Sequence, residues 1–254
     1  MSSEEPEAYV IGWQPFIGLK IYLDSRPLIP RTETEWWTEQ FLNKVKNEQA
    51  YSVEEVSQRD GARASKFSAE NYASPKADMP VRLKFLDLCA GSGAIGCAAL
   101  AKLPSAQVYF GEIDPAHEAT ILKNIRENNL DASRAFVRIG DLFKPFKDMK
   151  FDIIAVNPPY VPFGRALPVS VIGHEPALAL LAGEDGLDII RRIAAELQQH
   201  LTEGGEAWIE CDSAHATAAC ALFKNQGLSA LIRTDQYSEP RVIVCRHTRA
   251  RSAQ

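Results

Sequence analysis

Short apolar runs alternate with helical stretches from residue 84 onward, and this alternation limits the fold more than any other feature of the sequence. Strands that alternate with helices of this length indicate a parallel or mostly parallel sheet covered by helices on both faces. Only residues 235–240 join the last two runs, and a parallel crossover needs roughly a dozen residues, so this pair predicts an antiparallel hairpin. The sequence therefore predicts an α/β fold with a doubly wound, mostly parallel seven-stranded sheet and an antiparallel final strand. The predicted strands are Lys84–Cys89, Gln107–Glu112, Ala135–Ile139, Phe151–Asn157, Ala207–Glu210, Ser229–Thr234 and Arg241–Cys245, and the predicted helices are Ala94–Leu103, Pro115–Asn128, Leu187–Thr202 and Ala214–Asn225.

The chain ahead of this alternation divides into two parts. Residues 1–46 contain a short apolar alternation and then a helix that begins near Thr32, where Glu35 stands at the capping-box spacing. Residues 47–80 are dominated by Asn, Glu, Gln, Ser, Lys and Ala, which predicts a polar, flexible insertion. We therefore expect a small strand/helix segment at 1–46 that packs on a larger domain at 81–254.

Composition excludes several classes of protein. No apolar run approaches the roughly 18 residues that span a bilayer, so no membrane partner is expected. The net charge of −5 disfavours tight binding to a nucleic-acid backbone, which depends on releasing counterions from phosphates. The five cysteines form no close pairs and the five histidines have no partner at ligand spacing. This pattern predicts free thiols in a reducing compartment and no metal site.

A run of small residues follows the first strand of the alternation, from Cys89 to Gly93. Small residues let the backbone turn tightly and let a ligand lie against peptide groups at the start of the next helix. The second strand ends in Glu112, which could accept hydrogen bonds from two ribose hydroxyls. Gly91, Gly93 and Gly96 with this downstream acid also satisfy the dinucleotide fingerprint. These residues therefore predict a ligand that contains ribose, without deciding which one.

The fourth strand ends in Asn157-Pro158-Pro159-Tyr160, a rigid loop because proline fixes its own φ and restricts the residue before it. The Asn157 side chain and the Pro158 carbonyl are expected at the carboxyl ends of the strands, where open α/β sheets bind ligands. Two fixed acceptors can take both N–H groups of a planar amide or aromatic amine and turn its lone pair toward a methyl group. Tyr160 would supply a flat wall for the substrate. The loop is thus typical of an enzyme that methylates a planar nitrogen.

These two motifs resemble the amino-group methyltransferases that use S-adenosylmethionine, and further segments resemble one branch, the release-factor glutamine methyltransferases. The resemblance implies a Rossmann-like class I methyltransferase fold with the methyltransferase domain at 81–254. It implies S-adenosyl-L-methionine as cofactor and, as substrate, the glutamine in the Gly-Gly-Gln loop of a peptide-chain release factor. The further matching segments are Tyr9–Gly12, Phe16–Gly18, Leu28–Glu35, Glu175–Leu180 and Gly183–Asp188.

The resemblance also implies roles for individual residues. Asn157, Pro158 and Tyr160 would be catalytic, and Pro159 would join them in holding the glutamine amide. Three departures from the family pattern occur: Cys89 and Ala90 replace glycine or a small hydroxyl residue, Thr32 replaces a proline, and only eight residues precede Tyr9, where the family carries a helical docking domain. The implied cofactor contacts are Cys89, Ala90, Gly91, Ser92, Gly93, Glu112, Asp141, Leu142 and Asn157.

Two other functions fit parts of the pattern. A DNA or RNA adenine-amino methyltransferase uses the same kind of loop, but it must extrude a base and hold the backbone, which the charge of −5 disfavours. A catalytically silent binding subunit is disfavoured by the intact Gly91, Gly93, Glu112 and Asn157. We expect a monomer in the mitochondrial matrix, or alternatively the cytoplasm, with a release factor as its partner and no direct nucleic-acid binding. The acidic first residues resemble neither a signal peptide nor an Arg-rich transit peptide.

Overall fold

A computed structural model describes residues 5–63 and 83–248, with side chains at 5–47 and 83–248. None of the helices in these ranges has the length and apolar character that crossing a membrane requires. The helices are α1 (Glu7–Ile11), α2 (Thr32–Arg63), α3 (Ala94–Lys102), α4 (Glu118–Glu127), α5 (Val169–Ile172), α6 (Ala177–Leu180), α7 (Asp188–His200) and α8 (Ala216–Asn225). The strands are β1 (Trp13–Phe16), β2 (Leu19–Tyr22), β3 (Lys84–Leu88), β4 (Gln107–Glu112), β5 (Ala135–Ile139), β6 (Phe151–Val156), β7 (Leu201–Glu210), β8 (Leu228–Thr234) and β9 (Pro240–His247).

A seven-stranded sheet forms the centre of the molecule, with strand order β5-β4-β3-β6-β7-β9-β8. The strands β3 to β7 pair in parallel, and β9 is antiparallel to both β7 and β8. The predicted fold class and the final hairpin are therefore confirmed. The chain builds outward from β3 to β5 and then returns to the other side of β3 with β6. The loops after β3 and β6 consequently meet at the switch point, where open α/β sheets bind ligands.

The two faces of the sheet carry separate hydrophobic cores, because neighbouring residues of a strand point to opposite faces. Phe85 packs with α2 and α3 on one face, whereas Leu86 belongs to the core beneath α7 and α8 on the other. The parallel strands β3, β4 and β6 are buried on both sides, which explains why they stand out as continuous apolar runs rather than as alternating ones.

The N-terminal elements lie against the first of these faces. Trp37 of α2 is fully buried and stacks on Trp208 of β7, with 6.4 Å between the ring centroids. Asn124 of α4 exchanges hydrogen bonds with the backbone of Tyr22 in β2 and also donates to the Ser92 carbonyl at 2.8 Å. The segment therefore contacts both the sheet and the loop after β3.

Helix α2 runs through to Arg63, whereas the sequence predicts a polar, flexible connection from residue 47. Residues 47–60 contain no proline or glycine and are rich in Glu and Gln, which are good helix formers, so the helix has no residue that stops it earlier. Residues 64–80 of the predicted insertion lie outside the described residues. At the start of α2, Glu35 does not close a capping box but accepts a hydrogen bond from the Ile17 amide at 2.6 Å.

Candidate functional site

The loop after β3 needs small residues for packing as well as for its turn. Gly91 and Gly93 have φ of 54° and 77°, in the left-handed region that favours glycine. A Cβ on Gly96 would lie 2.2 Å from the Phe110 ring, so glycine lets α3 rest directly on β4. Asp87 is buried, and its Oδ2 accepts from the Gly96 amide at 2.8 Å. Burial raises the pKa of the Asp87 carboxyl well above its ordinary value.

Glu112 at the end of β4 holds this loop in place. Its Oε2 accepts from the Gly91 amide at 2.7 Å, and its Oε1 accepts from the amides of Ile113 and Asp114, both at 2.9 Å. The side chain is only 6% exposed but lines a cavity at the switch point. A carboxylate offers about four acceptor positions, so Glu112 can still accept from a ligand hydroxyl in that cavity.

This first cavity collects most of the residues predicted to bind a cofactor. Ala90, Ser92 and Gly93 lie off its wall and hold the turn instead, since the Ala90 amide donates to the Gly111 carbonyl and the Gly93 amide donates to the Ala90 carbonyl. Their contact with a cofactor stays a prediction. The six predicted residues on the wall are Cys89, Gly91, Glu112, Asp141, Leu142 and Asn157.

Arg192 also lines the first cavity, although its sequence position in α7 indicates a solvated helix face. Its guanidinium contacts both oxygens of Asp141 at 2.7 Å, and Lys144 donates to the same carboxylate at 2.8 Å. These hydrogen bonds, from Lys144 and then from Arg192, lower the pKa of the Asp141 carboxyl. Fifty-one residues separate Arg192 from Asp141, so no local spacing pairs them.

The Asn157–Tyr160 loop separates the first cavity from a second one. Pro159 lines the first cavity, Pro158 and Tyr160 line the second, and Asn157 lines both. The Nδ2 group of Asn157 donates to Thr34 Oγ1 at 3.2 Å. Its Oδ1 atom is buried and has no hydrogen-bond donor among the described residues. A buried carbonyl oxygen without a donor is costly, so it marks a position where a ligand N–H would fit.

Glu210 at the end of β7 anchors the same loop from behind. Its Oε1 accepts from the Tyr160 hydroxyl at 2.9 Å, and its Oε2 accepts from Thr34 Oγ1 at 2.7 Å and Trp37 Nε1 at 2.8 Å. Burial raises the pKa of Glu210, while the three donors oppose that rise. Burial and then the Glu210 charge raise the pKa of Tyr160 well above its ordinary value. Sequence reasoning missed Glu210 and Thr34, because they lie 176 residues apart.

Three arginines line the second cavity, and each has an acidic partner. Arg31 donates to Glu175 at 2.5 Å, and Glu175 also accepts from the Ile29 amide at 3.2 Å. The Leu28–Glu35 and Glu175–Leu180 segments therefore meet at this cavity. The other two pairs are Arg165 with Asp212 and Arg241 with Asp235.

The Gly183–Asp188 segment braces the loop on its far side. The Phe163 amide donates to the Gly183 carbonyl at 2.7 Å, and the Val161 amide donates to the Leu180 carbonyl at 2.8 Å. A Cβ on Gly186 would lie 2.5 Å from the Tyr160 carbonyl oxygen, so only glycine allows this close approach.

A switch-point cavity with an acidic residue at the end of the second parallel strand, beside an Asn-Pro-Pro-Tyr loop, defines a class: the Rossmann-like, S-adenosylmethionine-dependent methyltransferases. The family model of the methyltransferase small domain matches residues 63–169. The catalytic domain of hMettl16, solved in complex with MAT2A 3'UTR hairpin 6, has a TM-score of 0.56. It is 15% identical over 91% of this chain and 77% of that chain, and it shows the shared fold alone.

Sequence relatives narrow the class to a family. A release factor glutamine methyltransferase of Thermodesulfovibrio yellowstonii is 32% identical over 90% of this chain and 71% of its own length. One from Lactococcus lactis is 30% identical over 93% of this chain and 74% of its own length. The chain belongs to the family of the release factor glutamine methyltransferases.

Proposed function

We propose that this protein transfers a methyl group to the side-chain amide nitrogen of the glutamine in the Gly-Gly-Gln loop of a peptide-chain release factor. The observation that carries the proposal is the position of Asn157, which lines both cavities and whose buried Oδ1 has no donor in the described part of the chain. One cavity would take the methyl donor and the other the glutamine. The family membership and the names of the relatives agree with this assignment.

The residues of the first cavity fit S-adenosyl-L-methionine. When bound, this cofactor supplies a methyl group on a positively charged sulfur. Glu112 would accept from its ribose hydroxyls, while Cys89 and Gly91 offer a close approach at the turn after β3. Asp141 and Leu142 would hold it at the end of β5, where Arg192 fixes the Asp141 carboxylate.

The substrate amide needs orientation more than it needs a strong base, because its lone pair is delocalised. Asn157 Oδ1 and the Pro158 carbonyl would accept its two N–H groups and so turn the lone pair toward the methyl group. Tyr160 would form a wall of the glutamine pocket, held there by its bond to Glu210. The division into a 1–46 segment and an 81–254 methyltransferase domain, the monomeric state and the mitochondrial matrix stay predictions.

One relative indicates a second candidate substrate. The ribosomal protein uL3 glutamine methyltransferase of Bradyrhizobium diazoefficiens is 30% identical over 81% of this chain and 57% of its own length. The name of that relative also specifies a glutamine, so the chemistry of Asn157–Tyr160 would serve either protein. The two candidates differ only in the partner that presents the side chain.

Radiolabelled methyl transfer to purified release factors, ribosomal protein uL3 and duplex DNA tests the proposal. We expect label in a release factor, and none after its Gly-Gly-Gln glutamine is changed to alanine. Asn157→Ala should lower kcat by about 100- to 1,000-fold, since it removes a preorganised hydrogen-bonding group, with little change in cofactor Kd. Asn157→Asp keeps an acceptor and should retain appreciable activity.

Two results would contradict parts of the proposal. Label in duplex DNA and in neither protein would replace the glutamine substrate with an adenine amino group. If Asn157→Asp were as inactive as Asn157→Ala, with both folded and cofactor bound normally, accepting from the substrate would not be the main role of Asn157. Its NH₂ donor or its contact with the cofactor would then be the feature that matters.

A further inference from the structure

We propose that Glu210 and Thr34 are positioning residues that fix the direction of the Asn157 side-chain amide. The inference rests on the proposed function, because the direction matters only if Asn157 Oδ1 accepts from the substrate. Neither residue touches the cofactor cavity. Thr34 acts on the reaction through Asn157, and Glu210 acts through Thr34 and Asn157 while also holding the Tyr160 hydroxyl.

A carboxylate starts the chain of hydrogen bonds. Glu210 is 1% exposed, and its Oε2 lies 2.7 Å from Thr34 Oγ1 and 2.8 Å from Trp37 Nε1. An ionised carboxylate only accepts, so the single hydroxyl hydrogen of Thr34 must point at Glu210. The opposite arrangement would bring two lone pairs together at 2.7 Å inside the protein.

The direction of the Thr34 hydroxyl then fixes the direction of the Asn157 amide. Because the hydrogen of Thr34 is committed to Glu210, Thr34 Oγ1 can only accept from the Asn157 amide, 3.2 Å away. Asn157 must therefore present its NH₂ group to Thr34, and its oxygen then faces away from Thr34. The residue itself lines both cavities. An asparagine without this constraint could turn over and present donors to a substrate amide that also donates.

Trp37 also constrains which group of residue 210 can face Thr34. The indole N–H donates only, so whatever group lies at the Oε2 position of residue 210 must be an acceptor. In Glu210→Gln the tryptophan would hold the amide oxygen toward Thr34 and preserve the direction of the chain. Removing the indole donor as well, in Trp37→Phe with Glu210→Gln, frees the glutamine to place its NH₂ group toward Thr34. Thr34 would then donate to Asn157 Oδ1 and withdraw it from the substrate.

A double-mutant cycle tests this coupling. We expect Trp37→Phe and Glu210→Gln each to change kcat by less than about fivefold, and the double variant to lose about 10- to 100-fold, which approaches the loss of an oriented group. Cofactor Kd should stay within about twofold throughout. The matched control is Trp37→Phe with Asp152→Asn, which changes a carboxylate of β6 that accepts from the Lys84 amide and from Thr202 Oγ1. In the control the two effects on kcat should multiply.

Thr34 provides an independent pair of variants. Thr34→Ser keeps the hydroxyl and should retain kcat within about twofold of the wild-type protein. Thr34→Val keeps the shape without the hydroxyl and should lower kcat by about tenfold or more, with KM for a Gly-Gly-Gln peptide changing less. Equal kcat values for the two variants would overturn the inference, as would effects of Trp37→Phe and Glu210→Gln that simply multiply.

A readout without turnover separates this inference from the proposed function. The side-chain NH₂ resonances of Asn157, assigned by their loss in Asn157→Asp, should be protected from solvent exchange in the wild-type protein. Protection should persist in Thr34→Ser and disappear in Thr34→Val and in the Trp37→Phe, Glu210→Gln double variant. Unprotected wild-type resonances would overturn the inference. If the wild-type protein methylates no glutamine, the proposed function fails while this exchange measurement still decides the direction of Asn157.

Discussion

Gly186 offers a test of how tightly the Asn157–Tyr160 loop must be held. Its φ is +75°, and a Cβ placed on it would lie 2.5 Å from the Tyr160 carbonyl oxygen and 3.1 Å from both His215 Cε1 and Pro162 Cδ. The nearest atom belongs to the backbone, so a rotamer change cannot relieve the overlap. Gly186→Ala must therefore move either the Gly183–Asp188 segment or the loop that carries Tyr160.

The size of the effect follows from two contributions. Placing alanine in the left-handed region costs about 1–2 kcal/mol. Overlap in a well-packed site adds about 1–3 kcal/mol. Relieving the contact to 3.0 Å requires a shift of at least 0.5 Å, the difference between 3.0 Å and the present 2.5 Å. A misplacement of about 1 Å can cost about 100-fold in rate, so half of that shift predicts a loss of about tenfold in kcat.

Gly227 between α8 and β8 provides the matched control. Its φ is +81°, but a Cβ there would have nothing within 4 Å, so Gly227→Ala carries only the conformational cost. Chemical denaturation should show Gly227→Ala less stable than the wild-type protein by about 1–2 kcal/mol, with kcat unchanged. Gly186→Ala should be less stable than Gly227→Ala and about tenfold slower in methyl transfer. A kcat for Gly186→Ala within twofold of that for Gly227→Ala would refute the idea that the Gly183–Asp188 segment sets the geometry of the Asn157–Tyr160 loop.

Two further predictions concern the first cavity. Glu112→Ala should raise the cofactor Kd by roughly 10- to 100-fold, because hydrogen bonds to a charged group are worth about 1.5–3 kcal/mol. An unchanged Kd by calorimetry would mean that the ribose does not lie at Glu112. Asp141 has a pKa below its ordinary value because of Lys144 and Arg192, so its contribution to stability is complete above about pH 4 and is lost as the pH falls through the lowered pKa. Asp141→Asn should therefore narrow the difference in unfolding free energy between pH 5 and pH 2, and parallel pH profiles for the two proteins would exclude this linkage.

The sequence predicts those parts of the fold that local patterns determine. The parallel strands β3 to β6 are predicted as strands, and their ends agree with the structure to within a residue. The length of β7 was not predictable in the same way: it begins at Leu201, before two glycines, and the predicted run begins at Ala207. Helix α2 exceeds its prediction for a related reason, since polar composition alone does not distinguish a solvated helix from a connection.

In the site, too, some residues could be predicted from local sequence and others could not. The residues of the glycine turn and Asn157–Tyr160 follow strand ends and could be recognised from their immediate neighbours. Their supporting residues could not, because Arg192 reaches Asp141 across 51 residues and Glu210 reaches Tyr160 across 50. Such partners are brought together only by the strand order, which places the ends of β5, β4, β3, β6 and β7 side by side.

Two of the further matching segments contact the Asn157–Tyr160 loop or the residues that support it. Leu28–Glu35 supplies Thr34 behind Asn157, and it supplies Arg31 to bind Glu175. The Gly183–Asp188 segment lies against the Tyr160 carbonyl. All these segments converge on one short loop, and none of them supplies the chemistry itself. A reaction that depends on orienting a weak nucleophile requires this kind of support, because an acceptor oxygen that can rotate gives little advantage over water. Thr34 and Gly186 lie off the wall of the first cavity, so substitutions at these two positions should lower kcat before they alter cofactor affinity.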